Sequence, residues 1–569
     1  MTANRTSSLL ALCFLFCLTQ LLANAAEVGS TSVEEIQQIL LKLSDKKSSI
    51  RKTAIMDLAR YEHPGLVALI DAFKLRQLYV WNDDVVILCP KIEGKTAALQ
   101  DPLTQEPITD VSGKQLQVTV TELKQIRPGR SERGLAENVK SLFKLSSSNE
   151  ETKLSGVKKC GEAKTIKGLG KLTDLALEKL DDLATGNQSK KIPRLALESA
   201  LLIRISRISV DAGSTHLKLV TQLGHTKSKR SQKFLERSLA QLEKDPALAP
   251  QIQRTYQAAI AKIRTYQRLS SLLGNLFRGL SLGSVLILMA LGLAITFGLM
   301  GVINMAHGEL MMIGAYTTYV VQLVFAHTPE TPNNWYFIFA LPASFLASAA
   351  VGLLIEFFVV RHLYKRPLES LLATWGVGLI LIQIIRLRFG DNIGVNAPSW
   401  GRGGIEVIQD LVFPYGRCFI IAICVLSVGA MYYLMHYTKI GLMMRATMQN
   451  REMASSLGVN TGFVDRCTFA FGSGIAGIAG YAWTLIGGVT PDMGQTNFIV
   501  DSFLVVVTGG VGEIIGVIWA GLGIGGLTKT LEPTTGTIWA KILLLIAVVI
   551  FIQFKPSGLF AAKGRLADD

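Results

Sequence analysis

The stretch 276–300, LFRGLSLGSVLILMALGLAITFGLM, carries a single charge, Arg278, in 25 residues. About 20 consecutive apolar residues suffice for a helix to cross the roughly 30 Å hydrocarbon core of a bilayer. Similar runs occur at 309–327, 335–360, 371–389, 416–435, 463–486, 499–531 and 538–554. Gly509-Gly510-Val511-Gly512-Glu513 interrupts the run at 499–531, so the pattern predicts eight segments, one of them a half-helix followed by a second helix. The composition of the 569 residues agrees, with 49% apolar and 18% charged side chains and a mean hydropathy of +0.36. Soluble chains carry about 25% charged residues, so an all-soluble enzyme is excluded, and the number of apolar runs excludes a single-span receptor.

The charge is unevenly spread. From Asn275 onward there are 17 Lys+Arg against 15 Asp+Glu, and before it 41 against 28, so the first half carries +13 of the net +15. Residues 1–26 read as a secretory signal: Arg5 forms a thin positive region, 9–22 an apolar core, and Ala23-Asn24-Ala25 a small-x-small cleavage pattern. An uncleaved anchor helix is the alternative, and under either reading the chain beyond Glu27 is exported. Of the seven cysteines, only Cys89 and Cys160 then fall in the exported part, where a disulfide is permitted but not implied.

Residues 27–274 read as an exported, mostly helical domain. Ile55, Leu58, Ala59, Leu66, Leu69 and Ile70 recur at helical spacing and are broken by His63-Pro64-Gly65, which predicts a helix pair. The span 192–263 repeats that style and suggests a HEAT-like stack without a regular repeat. Between them, 78–88 and 115–123 alternate β-branched and polar residues, which predicts a small β insert around 78–123. The Lys227, Lys229, Arg230 and Lys233 cluster reads as a solvated helix face, because no zinc-finger, RNP or helix-turn-helix pattern accompanies it. No nucleic-acid partner is therefore expected. No GxxxxGK[ST], HExxH or GxSxG occurs, so the chain itself carries neither a P-loop nor a catalytic signature, and no cofactor or metal is expected on it.

Arg361, Lys365 and Arg366, then Lys439, Arg445 and Arg451, then Lys555, Lys563 and Arg565 alternate with loops nearly free of cations. Cation-rich loops stay cytoplasmic, so the C-terminus, including a tail at 561–569, is expected inside and the first domain outside. Gly472, Ala476 and Gly480, and likewise Gly521 and Gly525, lie four apart on helix faces and predict close backbone contacts within a bundle. The expected fold is therefore mainly α: a polytopic membrane bundle at 275–560 preceded by the exported domain.

The run FGLMGVINMAHGELMMIGAY at 297–316 resembles the signature of LivH-type permeases of ABC importers for branched-chain amino acids and urea. The stretches ESLLATWG at 369–376, 445–460, 503–512 and KPSGLF at 555–560 are similar to that family as well. The large first domain, with Tyr79-Val80-Trp81 and Asp101-Pro102-Leu103-Thr104, resembles its urea-transporter (UrtB-type) branch. The segment Glu452-Met453-Ala454-Ser455-Ser456-Leu457-Gly458 looks like the family's coupling motif, with Met in its second position.

The resemblance implies a transport subunit in a bacterial inner membrane that is not itself an enzyme. Its implied partners are two ATP-binding subunits, a second homologous permease, a periplasmic substrate-binding protein and membrane lipid. ATP would sit on the partner subunits. It also implies that Gly441, Arg445, Ala446, Arg451, Glu452, Ala454, Leu457 and Gly458 meet an ATPase, although an ordinary solvated loop remains the alternative local reading. Polar groups inside a membrane are expensive and mark cavities or partners, which makes Asn304, His307, Glu309, Glu356, Thr374, Gln383 and Asp501 the path candidates. Each also has a structural reading: Glu309 as a helix cap, Asn304 on broken backbone, Glu356 beside Arg361. Other classes remain in play, namely a branched-chain amino-acid permease, a stand-alone channel or secondary transporter, and a sensor. The short tail, with no room for a signalling domain, counts against the last.

Overall fold

The computed structural model describes residues 35–560 apart from 83, 91, 94–95, 110–115, 187–190, 209–213, 244–249, 327–333, 365 and 557. The predicted signal at 1–26 and the tail at 561–569 lie outside the described residues. The chain divides into two compact units, Met1–Tyr266 and Gln267–Asp569.

In the first unit the expected helix pair is Ser48–Leu58 and Leu66–Lys74. It turns at Gly65, where a Cβ would collide with the Leu103 carbonyl. The buried Glu132 ties the first helix of this pair to the helix Arg130–Phe143: Ser48 Oγ donates to it at 2.7 Å, Arg51 pairs with it at 2.8 Å and the Gly129 N–H donates at 2.7 Å. The β insert consists of β1 Leu78–Trp81, β2 Val85–Leu88, β3 Ile92–Glu93, β4 Thr96–Ala98, β5 Gln117–Thr119 and β6 Leu123–Gln125. These make two antiparallel three-stranded sheets of order β2-β1-β6 and β3-β4-β5, with Tyr79 opposite Ile87 and Gln125. Cys89 and Cys160 are both buried and unpaired, each in a different apolar cluster. The main core is built of side chains spaced for one helix face, such as Ala196, Ala200 and Ile203 on the helix Lys191–Arg207.

The helix α1, Pro250–Met300, starts in the first unit and continues into the second. Sequence periodicity anticipates a helix at 252–263 and a separate span from 276, but the helix is continuous. Residues 264–275 contain no proline and only Gly274 to weaken a run of ordinary helix formers. Then come α2 His307–Phe325, α3 Tyr336–Phe358, α4 Pro367–Phe389, α5 Tyr415–Tyr437, α6 Lys439–Gln449, α7 Arg451–Ser456 and α8 Thr461–Trp483. The π-helical turn Gly494–Phe498 leads into α9 Ile499–Gly509, and beyond the predicted break lie α10 Ile514–Thr535 and α11 Thr537–Phe554. A hairpin of β7 Gly404–Ile408 and β8 Leu411–Pro414 joins α4 to α5, where the sequence reading has only a loop.

Among the described residues, 6 helices are long and apolar enough to span a membrane: α1, α3, α4, α5, α10 and α11. The expected segments at 309–327 and 463–486 do form helices, α2 and α8, but they fall short of that apolarity for a physical reason. Both are packed inside protein, against each other and against α3, and bury His307, Glu309, Thr318, Gln322, Asp465 and Ser473. A helix surrounded by other helices need not match lipid in hydropathy. The predicted glycine faces are the contact points. A Cβ on Gly480 would fall inside the Met311 carbonyl and one on Gly314 inside that of Gly477, while one on Gly525 would lie 2.5 Å from the Gly283 nitrogen. The molecule is a mainly α polytopic membrane bundle joined to a first unit of helices and two small sheets.

Candidate translocation site and coupling surface

Between α1 and α2 the chain is not helical over 301–306, opening at Gly301 with φ 65°. Backbone groups freed by such a break must find partners, and several candidates supply them. Asn304 Oδ1 accepts from the Ala306 N–H at 3.0 Å, and Thr374 Oγ1 on α4 accepts from the Met305 N–H at 3.1 Å while donating to the Ser370 carbonyl at 2.8 Å. His307 shares a 3.0 Å hydrogen bond between Nε2 and the Met289 carbonyl, its ring resting against Gly292 of α1. Glu309, in the first turn of α2, lies against Gly378 of α4, where a Cβ would stand 3.1–3.3 Å from its carboxyl atoms.

Thr374 and Gly378 are four residues apart on α4, so the break and Glu309 meet one face of one helix a single turn apart. Asn304, His307, Glu309 and Thr374 are all buried, and Asn304 Nδ2, His307 Nδ1 and Glu309 Oε2 have no hydrogen-bond partner among the described residues. Buried polar atoms are nearly always paired, so unpaired donors and acceptors around one break are the mark of a place that a polar solute or water completes.

The other candidates lie elsewhere. Gln383 is exposed on α4, and Asp501 on α9 faces Lys541 of α11 at 4.0 Å. Glu356 accepts from Tyr364 Oη at 2.7 Å, and the Tyr364 ring lies 5.2 Å from the Arg451 guanidinium. Arg451 in turn pairs with the buried Asp465, with Nη1 3.3 Å from Oδ1. Glu356, Tyr364, Arg451 and Asp465 thus clamp α7 onto α3 and α8.

The segment expected to meet an ATPase forms two short helices. Thr438 Oγ1 caps α6 through the Gly441 N–H at 3.1 Å, and Asn450 Oδ1 caps α7 through the Met453 N–H at 2.9 Å. Gly458 ends α7 at φ 88°, with the Val459 N–H bound to the Ala454 carbonyl at 3.1 Å and its own N–H to Ser455 at 3.0 Å, the paired bonds of a Schellman cap. Met453 and Leu457 are 59% and 78% exposed, and Glu452 and Arg445 are exposed with them. Gly441 and Ala454 are buried, Ala446 is half-buried, and Arg451 is turned inward. Of the expected set, Arg445, Glu452, Leu457 and Gly458 are exposed, with Met453 beside them.

Sequence reasoning missed a contact beyond this face. Met448 of α6 packs over the 510–513 break, where a Cβ on Gly512 would lie 2.9 Å from its Cε. A Cβ on Gly298 of α1 would likewise meet Gly512 Cα at 2.9 Å. Residues 559–560 lie along the same break, with the Leu559 N–H on the Thr508 carbonyl at 2.8 Å. Three glycines around Val511 at 509–512 are the available signal.

Residues 275–553 match the family described as branched-chain amino acid transport system, permease component. The high-affinity branched-chain amino acid permease protein LivH of Salmonella typhimurium is 26% identical over 295 residues, covering 50% of this chain and 94% of the relative. BraD of Pseudomonas aeruginosa is 25% identical over 293 residues, covering 50% and 95%. A probable LivH of Methanocaldococcus jannaschii is 24% identical over 288 residues, covering 48% and 88%. No solved structure matches the chain. The sequence match runs through both helix breaks and the two short helices between α5 and α8, so it is residues 275–553 that are similar to the permease components of branched-chain amino acid transport systems.

Proposed function

We propose that the chain is the permease subunit of an ATP-driven importer that moves urea or a related short amide by alternating access. The observation that supports this most is the pairing, inside one family-matched domain, of an unsatisfied polar break at 301–306 with an exposed, rigidly capped helix pair at 439–456. A neutral amide offers one carbonyl acceptor and N–H donors. Asn304 Nδ2 supplies a donor for the first and Glu309 Oε2 an acceptor for the second. In this reading ATPase subunits bind Met453 and Leu457. Their closure displaces α6, Met448 presses on the 510–513 break, and Gly512 passes the shift to the end of α1 beside the site. A substrate-binding protein delivers the solute, and a second permease completes the path. The first domain stands outside the membrane and the C-terminus inside.

A branched-chain amino acid is the second reading, favoured by what the LivH and BraD relatives are named for. Growth of a deletion strain on urea as sole nitrogen source, alongside labelled leucine uptake, separates the two. Loss of urea growth is expected, and normal urea growth with lost leucine uptake overturns the urea reading. The first domain is proposed to dock the binding protein, and undiminished transport after its removal refutes that.

A further inference from the structure

Three of the four clustered cations that read as a solvated face line a cleft instead. Lys229, Arg230 and Lys233 lie on the helix Lys229–Leu242, which walls a cleft of about 1170 Å³ within the first unit. Phe234, Arg237 and Gln241 continue the same face at three- and four-residue spacing. The helices Ala163–Leu169 and Lys191–Arg207 contribute the facing walls. Lys227, by contrast, sits over the Tyr266 ring, 4.8 Å from its centre.

The lining is divided by chemistry. Ile166, Leu202, Ile205, Phe234 and Leu242 form apolar wall, while His216 and Tyr256 close one part with a 2.9 Å hydrogen bond. Around it stand Lys164, Lys167, Lys229, Arg230, Lys233 and Arg237. A seventh cation, Arg207, is already paired with Asp174. Glu162 is the one acid among the lining residues, and Glu198 is buried behind Arg230, held by Ser231 Oγ at 2.8 Å.

Arg230 is the least satisfied of these groups. Its Nη2 donates to Ser199 Oγ at 2.7 Å, and its guanidinium lies where any Cβ on Gly161 would collide with it. Its Nε and Nη1 are enclosed and have no partner among the described residues. A guanidinium held half-paired beside apolar wall is expensive, and an oxyanion is the ligand that its planar fork matches once the Arg230 side chain shifts to bring its enclosed edge to the cleft. At about 1170 Å³ the cleft is somewhat larger than the usual small-molecule site and has room for one.

We propose that this cleft binds a small organic oxyanion, a phosphate or carboxylate carried on an apolar body, with Arg230 as its charge partner and Lys233 and Arg237 at its mouth. The site is independent of the transport reading.

Calorimetric titration of the full chain in neutral detergent with phenyl phosphate tests it. One saturable site is expected, weakened about tenfold or more in Arg230→Gln, since a charge-assisted pair is worth that much. The Lys233→Gln/Arg237→Gln double variant changes only the mouth and is expected to weaken binding severalfold while leaving thermal unfolding unchanged. Phenol, lacking the charge, and inorganic phosphate, lacking the apolar body, are both expected to bind more weakly. Competition by dihexanoylphosphatidylglycerol assigns the oxyanion to a lipid headgroup, and its failure to compete assigns it to a free metabolite; the site stands in either case. Absence of saturable binding, equal affinity in wild type and both variants, or phenol binding as tightly as phenyl phosphate overturns the proposal.

Discussion

The two units reach close packing by opposite means. In the first, Leu58, Phe73, Val139, Leu202 and Leu235 interlock as large side chains, and burial from water drives them together. In the second, α2 meets α8 and α1 meets α10 backbone to backbone, at Gly314, Gly477, Gly480, Gly283 and Gly525. Lipid gives no hydrophobic reward for helix association, so close van der Waals approach replaces side-chain interlocking there. The lesson is that the same kind of substitution has opposite meaning in the two halves. Adding atoms at the helix contacts breaks the bundle, whereas in the first unit, the tight turn at Gly65 apart, removing them from the core is what breaks it.

Gly480→Val is the most damaging change this comparison predicts. The new side chain must displace the Met311 carbonyl on α2, which cannot give way as a flexible side chain would, so the cost exceeds the ~1–3 kcal/mol of ordinary overpacking. Loss of monodisperse protein on size exclusion checks it, and a well-behaved variant would break the contrast. Leu202→Ala should cost about 2–5 kcal/mol in the first unit, read as faster hydrogen exchange there with the bundle unchanged.

A smaller effect comes from charge. Burial alone would raise the Glu137 carboxyl, but hydrogen bonds from Lys159 and Lys74, with their charges, bring it down to about 2. A depressed folded-state value means stability that is present above the ordinary carboxylate range and lost as pH falls toward 2. The first unit should therefore lose part of its thermal stability between about pH 4.5 and 2, and Glu137→Gln should flatten that slope. The pair is partly exposed, so the change is modest and salt-sensitive.

Legibility differs between the halves for the same physical reason. The 509–513 break is a local signal that marks a real boundary, and most of the apolar runs coincide with helices. The continuity of α1 was hidden because nothing local distinguishes a polar connection from a polar stretch of helix at 264–275. At the site, Asn304, His307, Glu309 and Thr374 come together because three of them flank one break, while Gln383 faces outward because a uniformly apolar α4 gives no phase to its polar residues. Arg451 could not be placed from sequence, since its inward turn depends on Asp465 across a helix junction and on Tyr364 from another loop. Arg230 was misjudged likewise: charge alone does not say which face of a helix is covered.

The central claim is that the exposed end of α7 passes ATPase motion into the bundle, and it can be tested by co-expressing the chain with its partner subunits and measuring uptake and ATPase retention in Gly458→Val and in Met453→Asp/Leu457→Asp. A side chain at the left-handed Gly458 costs about 1–2 kcal/mol and distorts the cap. The double variant instead places charge on a face that needs apolar contact, without touching the clamp at Arg451 and Asp465. The account predicts that both variants insert normally yet lose ATPase co-purification and uptake together. Full uptake and undiminished ATPase retention in the double variant would contradict it.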